Sequence, residues 1–424
     1  MKYDVIVIGA GLSGLMAAKE AADNGMKTMI LGKGMGLMHV LSGGIDLLGY
    51  YPGEDMTTQN GIHPALIKLI QNEPDHPYAR VGMEDIKGAL RSFSEVFGPE
   101  AYHYTGTPGR NTTLPTGVGT LRPSYLVPST MIGGKDILSR PTLLIGFHGF
   151  GSFYSVYAAK NLMRLGNRRG DIRLRSEDIE VSDIAGRSIF KAASLASQLD
   201  EESFRERVAA RIRMALNGED LVGFPAVLGL REAANVKMDL EARIGAQVFE
   251  LSVLPPSIPG MRLFEIFKRR LQAGGVRMIL GFEVISAMRK NRYCHCVVLK
   301  TPSGERRYEA DSFVLATGGL FGGGLRAERD RIVEPIFQLP VAQPKSRKAW
   351  FHDELFGPRS HPINRAGIRT DTRLNPIDEN RRVILQNLFV AGSILGHHDP
   401  TREKSGTGVM IATGFKAVRN LLEK

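Results

Sequence analysis

Cysteine is nearly absent: Cys294 and Cys296 are the only two in 424 residues. An iron-sulfur cluster takes about four thiolates, so this chain cannot hold one by itself; if electrons left it for such a cluster, that cluster would belong to another subunit. Cys294-His295-Cys296 also has too few ligands for structural zinc, and strand alternation would turn both thiols to one face and the imidazole to the other. Long apolar runs are missing as well. None reaches the roughly 18 residues that cross a bilayer, and Met1 leads straight into a core strand without a charged, apolar, small-residue leader. The expectation is a soluble, intracellular chain that meets a membrane only through a partner. Internal repeats, low-complexity stretches and nucleic-acid-binding modules are also lacking. Acidic residues are outnumbered, 44 against 55 Lys and Arg, giving a net charge of +11. That balance favours anionic partners such as a phosphorylated substrate, an acidic protein surface or lipid headgroups, although the basic residues are scattered, with short clusters at Arg168-Arg169 and Arg306-Arg307.

What is present starts at the N-terminus. Val5-Ile6-Val7-Ile8 runs into Gly9-Ala10-Gly11-Leu12-Ser13-Gly14, after which Leu12, Leu15, Met16 and Ala18 repeat at helical spacing as far as Asn24-Gly25. A second strand follows over Lys27 to Leu31. This is a buried strand, a tight turn and a helix. Gly9 lets the chain turn, Gly11 lets its backbone approach a pyrophosphate, and Gly14 lets helix and strand pack closely, with the phosphate on the helix's free amides. One anchor is absent. About 20 residues on, an Asp or Glu normally takes the ribose hydroxyls of adenosine, but here Gly32 and Lys33 stand there and no acid comes before Asp46. Three explanations stay open: Lys33 holds a phosphate, the cofactor lacks adenosine, or the site has been lost.

Glycines recur through the otherwise apolar stretch from Gly34 to Leu48, including Ser42 and Gly43, which suits backbone packed against something flat, such as a flavin ring; His39 is a candidate contact. The chain then divides into a discontinuous flavin-binding domain, residues 1–50 and 256–424, and an inserted α/β domain, residues 51–255. The insert is expected to hold a helix over Met83 to Phe97, a strand over Pro141 to Phe147 with a helix over Phe153 to Leu165, and helices over Asp200 to Asn217 and Leu230 to Ile244. Pro255-Pro256-Ser257-Ile258-Pro259-Gly260 reads as a hinge closing it. Beyond come a helix over Leu263 to Ala273 and five short strands, Val276 to Leu280, Glu283 to Met288, Cys294 to Lys300, Glu305 to Glu309 and Ser312 to Ala316.

Two further strands end in small residues, the kind of exit that opens a ligand crevice in an α/β sheet. One is Phe313-Val314-Leu315-Ala316-Thr317-Gly318-Gly319, and the other is Leu388-Phe389-Val390-Ala391-Gly392-Ser393. Gly406-Thr407-Gly408 then opens the last helix, where free amides could stabilise charge on a reduced flavin. In this order the exits resemble the two-dinucleotide-binding flavoproteins of the fumarate reductase type, with Ser393 where that group commonly carries Asp. The resemblance implies a Rossmann-like flavin-binding domain of the FAD/NAD(P)-binding type with an inserted second α/β domain.

A narrower likeness rests on Ser42-Gly43-Gly44-Ile45-Asp46-Leu47-Leu48, Pro255 to Leu263, Glu334-Pro335-Ile336 and Gly392-Ser393-Ile394-Leu395-Gly396-His397-His398-Asp399-Pro400. These stretches resemble the B subunits, the flavoprotein subunits, of the anaerobic glycerol-3-phosphate dehydrogenases along almost the whole chain, including the missing ribose acid and Ser393. The resemblance implies a flavin subunit in a quinone-dependent complex that turns sn-glycerol 3-phosphate into dihydroxyacetone phosphate in anaerobic respiration. Its partners would be an FAD-containing catalytic subunit and an iron-sulfur membrane-anchor subunit. The chain would then lie peripherally on the cytoplasmic face of the membrane, without nucleic acid. By resemblance the flavin is FMN. The intact fingerprint is built for the pyrophosphate of FAD, so FAD is the alternative. Rival expectations are a self-sufficient FAD-dependent oxidoreductase acting on another small anion and a flavin-free scaffold. No catalytic base is evident. His361, Arg365, His397, His398, Arg402 and Lys404 are candidates for binding an anion or a hydride donor, or for facing solvent or a partner.

Overall fold

The computed structural model describes residues 2–51, 61–98, 102–166, 173–181, 189–355, 357 and 359–423; Arg168-Arg169 lies outside them. It forms two compact units, one of Met1–Leu37, Asp46–Val96 and Ile266–Lys424, the other of Met38–Ile45 and Phe97–Glu265.

The first unit is built on a seven-stranded sheet. Tyr3–Ile8 lies between Thr28–Gly32 and Gly304–Leu315 and is parallel to both. Arg277–Leu280 adds outside Thr28–Gly32, and Leu388–Val390 outside Gly304–Leu315, again in parallel. Val5, Ile6 and Val7 are fully buried, as the apolar run requires of a strand covered on both faces. Tyr293–Thr301 and Glu283–Lys290 extend the sheet in antiparallel fashion. Two of the expected strands are one: Gly304–Leu315 is continuous because its first half pairs with Tyr293–Thr301 and its second half with Tyr3–Ile8. Cys294 and Cys296 both point into the buried face while His295 is exposed. Among the described residues no cluster of His, Cys, Asp and Glu could hold a metal ion, and no helix is long and apolar enough to cross a membrane.

Two helices cover the strand ends. Leu12–Asp23 and Gly406–Leu422 pack so closely that a Cβ on Gly414 would lie 2.3 Å from the Ser13 carbonyl oxygen. Helices Ile62–Asn72, Pro77–Val81 and Met83–Glu95 also belong to this unit. The insertion expected from residue 51 therefore begins later, at Phe97, while Met38–Ile45 joins the second unit. Packing explains the shift: Phe93 stacks on Phe267 at 6.1 Å, and Gly88 lies against the Phe415 ring.

The second unit carries its own parallel sheet, in the order Gln247–Leu251, Leu221–Pro225, Thr142–Phe147, Leu174–Ile179. Helices Ser155–Gly166, Ala192–Leu199, Glu202–Ala215 and Ala233–Ile244 accompany it, as a second α/β unit demands. The expected proline hinge is instead the start of the helix Ile258–Ala273. Proline is tolerated in a first turn, and Ser257 Oγ accepts a hydrogen bond from the Gly260 amide at 3.0 Å, a helix cap that the proline-rich composition disguises.

Candidate functional site

Parallel strands bring their C-terminal ends to one edge of the first unit's sheet, and the fingerprint turns over that edge. Gly9 has φ +115, and a Cβ there would sit 2.2 Å from the Ala316 carbonyl oxygen, so only glycine lets the first strand pass the exit of its neighbour. A Cβ on Gly14 would lie 2.0 Å from the Gly9 carbonyl oxygen, the close helix-on-turn packing assigned to the third glycine. Gly11 is different. It has φ −76, it stands at the helix N-cap, and nothing lies within 4 Å of where its Cβ would be. The first turn of this helix has neither a capping side chain nor an acidic residue, which leaves its positive end available to an anion.

The other two exits converge on the same turn. Gly392 has φ +83, and its Cβ would meet Ser13 Oγ at 2.4 Å; its amide donates to Thr413 Oγ1 at 2.8 Å. A Cβ on Gly319 would lie 2.7 Å from the Ser393 carbonyl oxygen. Thr317 Oγ1 is buried without a hydrogen-bond partner, and Gly318 has φ +82. Gly9 to Gly14, Thr317, Gly318, Gly392 and Ser393 thus form one group, with a donor-acceptor hydroxyl left over. A buried hydroxyl without a partner is costly, so Thr317 fits a ligand carrying polar groups. Ala10 and Leu12 are buried beneath the turn.

The remaining expected positions behave differently. Thr407 Oγ1 accepts from the Asp46 amide at 2.6 Å, and the Gly408 amide donates to the Asp46 carbonyl at 2.9 Å. A side chain on Gly408 would collide with Tyr78 Oη at 2.3 Å. Thr407 and Gly408 therefore hold the Asp46 segment to the helix start that begins at Gly406, and the Gly408 amide is not free for a flavin. Lys33 pairs with Glu283 at 2.6 Å. Ser42 and Gly43 belong to the second unit, where Tyr104 Oη donates to the Gly43 carbonyl at 2.8 Å. His39 is exposed, and its carbonyl accepts from the Ser257 amide at 2.7 Å.

Sequence alone does not reveal a buried polar cluster just beyond the third exit. His76 Nδ1 accepts from the Tyr78 amide at 3.0 Å, which directs its Nε2 proton to Glu403 Oε2, 3.2 Å away. Glu403 also accepts from Ser405 Oγ and from the Asp399 amide, both at 2.8 Å. Burial alone would raise the Glu403 carboxyl, but these donors hold it down at about 2. His398 is 2% exposed, stands edge-on to the His76 ring at 5.9 Å, and has no well-formed hydrogen bond at either ring nitrogen. Burial, reinforced by His76, lowers its pKa to about 4. Arg365 donates to Glu73 and to the His397 carbonyl, and His361 is held between the His352 amide and the Leu355 carbonyl. Arg402 is exposed; its amide donates to Asp399, and Lys404 has φ +51.

Gly11 and Gly14 should separate ligand approach from packing. A Cβ at Gly11 meets no neighbour within 4 Å, so in Gly11→Ala thermal stability should stay within about 0.5 kcal/mol while affinity for a pyrophosphate-bearing ligand falls tenfold or more, on the order of 1.4 kcal/mol. Gly14→Ala forces backbone apart and should cost about 1–3 kcal/mol. Melting curves with and without added dinucleotide measure both; equal destabilisation by the two variants would contradict this division.

Known proteins resemble this chain along its whole length. The FAD binding domain model matches residues 4–409. A Halobacterium salinarum protein described as a probable anaerobic glycerol-3-phosphate dehydrogenase B subunit is 35% identical over 98% of this chain and 97% of its own. The anaerobic glycerol-3-phosphate dehydrogenase B subunit of Aliivibrio fischeri is 28% identical over 100% of this chain and 96% of its own, and that of Vibrio cholerae 29% over 100% and 97%. Among solved structures, 3-ketosteroid delta1-dehydrogenase from Sterolibacterium denitrificans aligns across the whole of both chains at 11% identity with a TM-score of 0.44.

Proposed function

This chain belongs to the family of anaerobic glycerol-3-phosphate dehydrogenase B subunits, within the FAD binding domain family, and from that premise we propose that it is the flavin subunit that relays electrons within such a complex, with FAD as its flavin. The observation that carries the choice of FAD is Gly11: a glycine at an uncapped helix start, facing open space, suits the close backbone approach of a pyrophosphate, which FAD has and FMN lacks. The FAD binding domain match points the same way. FMN, expected by resemblance, is not supported by that match, and the intact turn argues for the alternative, FAD.

The chain's own residues would divide the work. Amides at Gly11 to Ser13 would take the pyrophosphate, Thr317 would offer its buried hydroxyl, and Gly392 and Ser393 would let a ligand lie close to the third exit. The flavin supplies two-electron acceptance and onward transfer in one-electron steps. Oxidation of glycerol phosphate is assigned to a partner subunit, and iron-sulfur transfer would lie in another, since this chain has only two cysteines, both buried. Membrane contact would come through those partners.

Purification of the native chain, denaturation and identification of the released molecule by chromatography and mass test the reading. FAD near one per chain is expected. Stoichiometric FMN would overturn the pyrophosphate assignment, a colourless chain that still bound its partners would leave a scaffold, and rapid glycerol phosphate oxidation by the chain alone would overturn the relay.

A further inference from the structure

The ribose acid missing from the end of the second strand has a counterpart in space. The Gly32 carbonyl, at that strand's end, accepts from the Gly281 amide at 3.0 Å and from the Phe282 amide at 3.4 Å. Leu280 is in register with Gly32 in the parallel ladder. The turn through Gly281, at φ +93, therefore lands on the position where the ordinary fingerprint carries its carboxylate. The next residue after Phe282 is Glu283, whose Oε1 lies 2.6 Å from Lys33 Nζ. This position also borders the fingerprint, because a Cβ on Gly32 would be 3.2 Å from the Ala10 amide nitrogen.

We propose that Glu283 is the acceptor for the ribose hydroxyls of the adenosine half of the flavin, delivered from the strand beside the second one and positioned by Lys33. The assignment rests on the FAD reading above. An exposed ion pair by itself contributes little to stability, and Glu283 and Lys33 are 50% and 64% exposed in their side chains, so the pair is poorly explained as a structural brace. Its location is better explained by a ligand. A carboxylate offers acceptor sites to vicinal hydroxyls and still has room for an ammonium, and Gly32, lacking a side chain, keeps the end of the second strand close against Ala10 of the fingerprint. The motif is invisible to a search along the second strand because the acid comes from far along the chain.

Full-length protein stripped of flavin and titrated calorimetrically with FAD and with FMN tests this. Glu283→Gln should weaken FAD binding by about tenfold to a hundredfold, the usual loss of hydrogen bonds to a charged group. FMN binding and the melting temperature of the stripped protein should not change. An FAD analogue lacking the adenosine 2′-hydroxyl should bind native protein more weakly and lose most of its sensitivity to Glu283→Gln. Lys33→Met should weaken FAD less than Glu283→Gln does. Native affinity for FAD in Glu283→Gln overturns the assignment while leaving FAD as the cofactor. A native chain that takes up FMN and rejects FAD overturns both.

Discussion

Arg262→Met is expected to destabilise the second unit by about 3–5 kcal/mol, the cost of leaving a buried charge without its partner. Arg262 and Glu250 have side chains 3% and 0% exposed, with Nη1 2.7 Å from Oε2 and Nη2 2.9 Å from Oε1. The guanidinium Nε donates to the Gly229 carbonyl at 2.8 Å, and Oε1 also accepts from the Leu228 amide at 2.8 Å. The Tyr102 ring lies 5.7 Å from the guanidinium carbon. Removing the cation strands a carboxylate with no exposed surface, whereas Arg262→Met combined with Glu250→Gln keeps an acceptor for Leu228 and should recover part of the loss. Urea unfolding followed by far-ultraviolet circular dichroism gives both values. A single-variant loss below about 1 kcal/mol would mean that water reaches Glu250 and that the pair behaves as a surface one.

Arg262 also shows what a sequence can and cannot say. It sits in the Pro255 to Leu263 stretch that carries the family likeness, yet the residues there read as a hinge, because the ion pair reaches back to Glu250 and the cap is a single serine. Local patterns were legible where the cause is local. The apolar run Val5 to Ile8 and the spacing of Gly9, Gly11 and Gly14 identify strand, turn and helix because those residues pack on one another. The exits at Thr317 and Gly392 were legible for the same reason. Tertiary causes were not. Nothing near Glu309-Ala310 announces that one strand changes partners there, and nothing near Met83 shows that its helix packs with Phe267 rather than with the insert. Glu334, part of another family-like stretch, proves to be buried and to accept from the Ile336, Phe337 and Leu339 amides, a loop-holding role that composition does not reveal. The missing ribose acid shows the same limit: reading along one strand finds no carboxylate, while the fold brings Glu283 to Lys33 beside that strand's end.

Acid should weaken the first unit in two separable steps, the first due to His398. An unfolded imidazole takes up its proton near pH 6.5, whereas folded His398 does so only at about 4. Between those values the unfolded state binds more protons, so stability falls as the pH drops from 6.5 toward 4, by about 3 kcal/mol in all. Glu403 acts lower down. Its carboxyl is held at about 2 against an ordinary 4.5, so its contribution is complete above 4.5 and is lost as the pH falls through that window, again by about 3 kcal/mol. His398→Leu should therefore flatten the urea midpoint between pH 6.5 and 4 and leave the lower step, while Glu403→Gln should remove the lower step. Trp350 is 2% exposed within the first unit, so its emission reports that unit during the titration. A His398→Leu chain that loses stability from pH 6.5 to 4 as steeply as the native one would show that His398 gains a proton in the folded protein, and would make it a candidate proton donor beside the third strand exit.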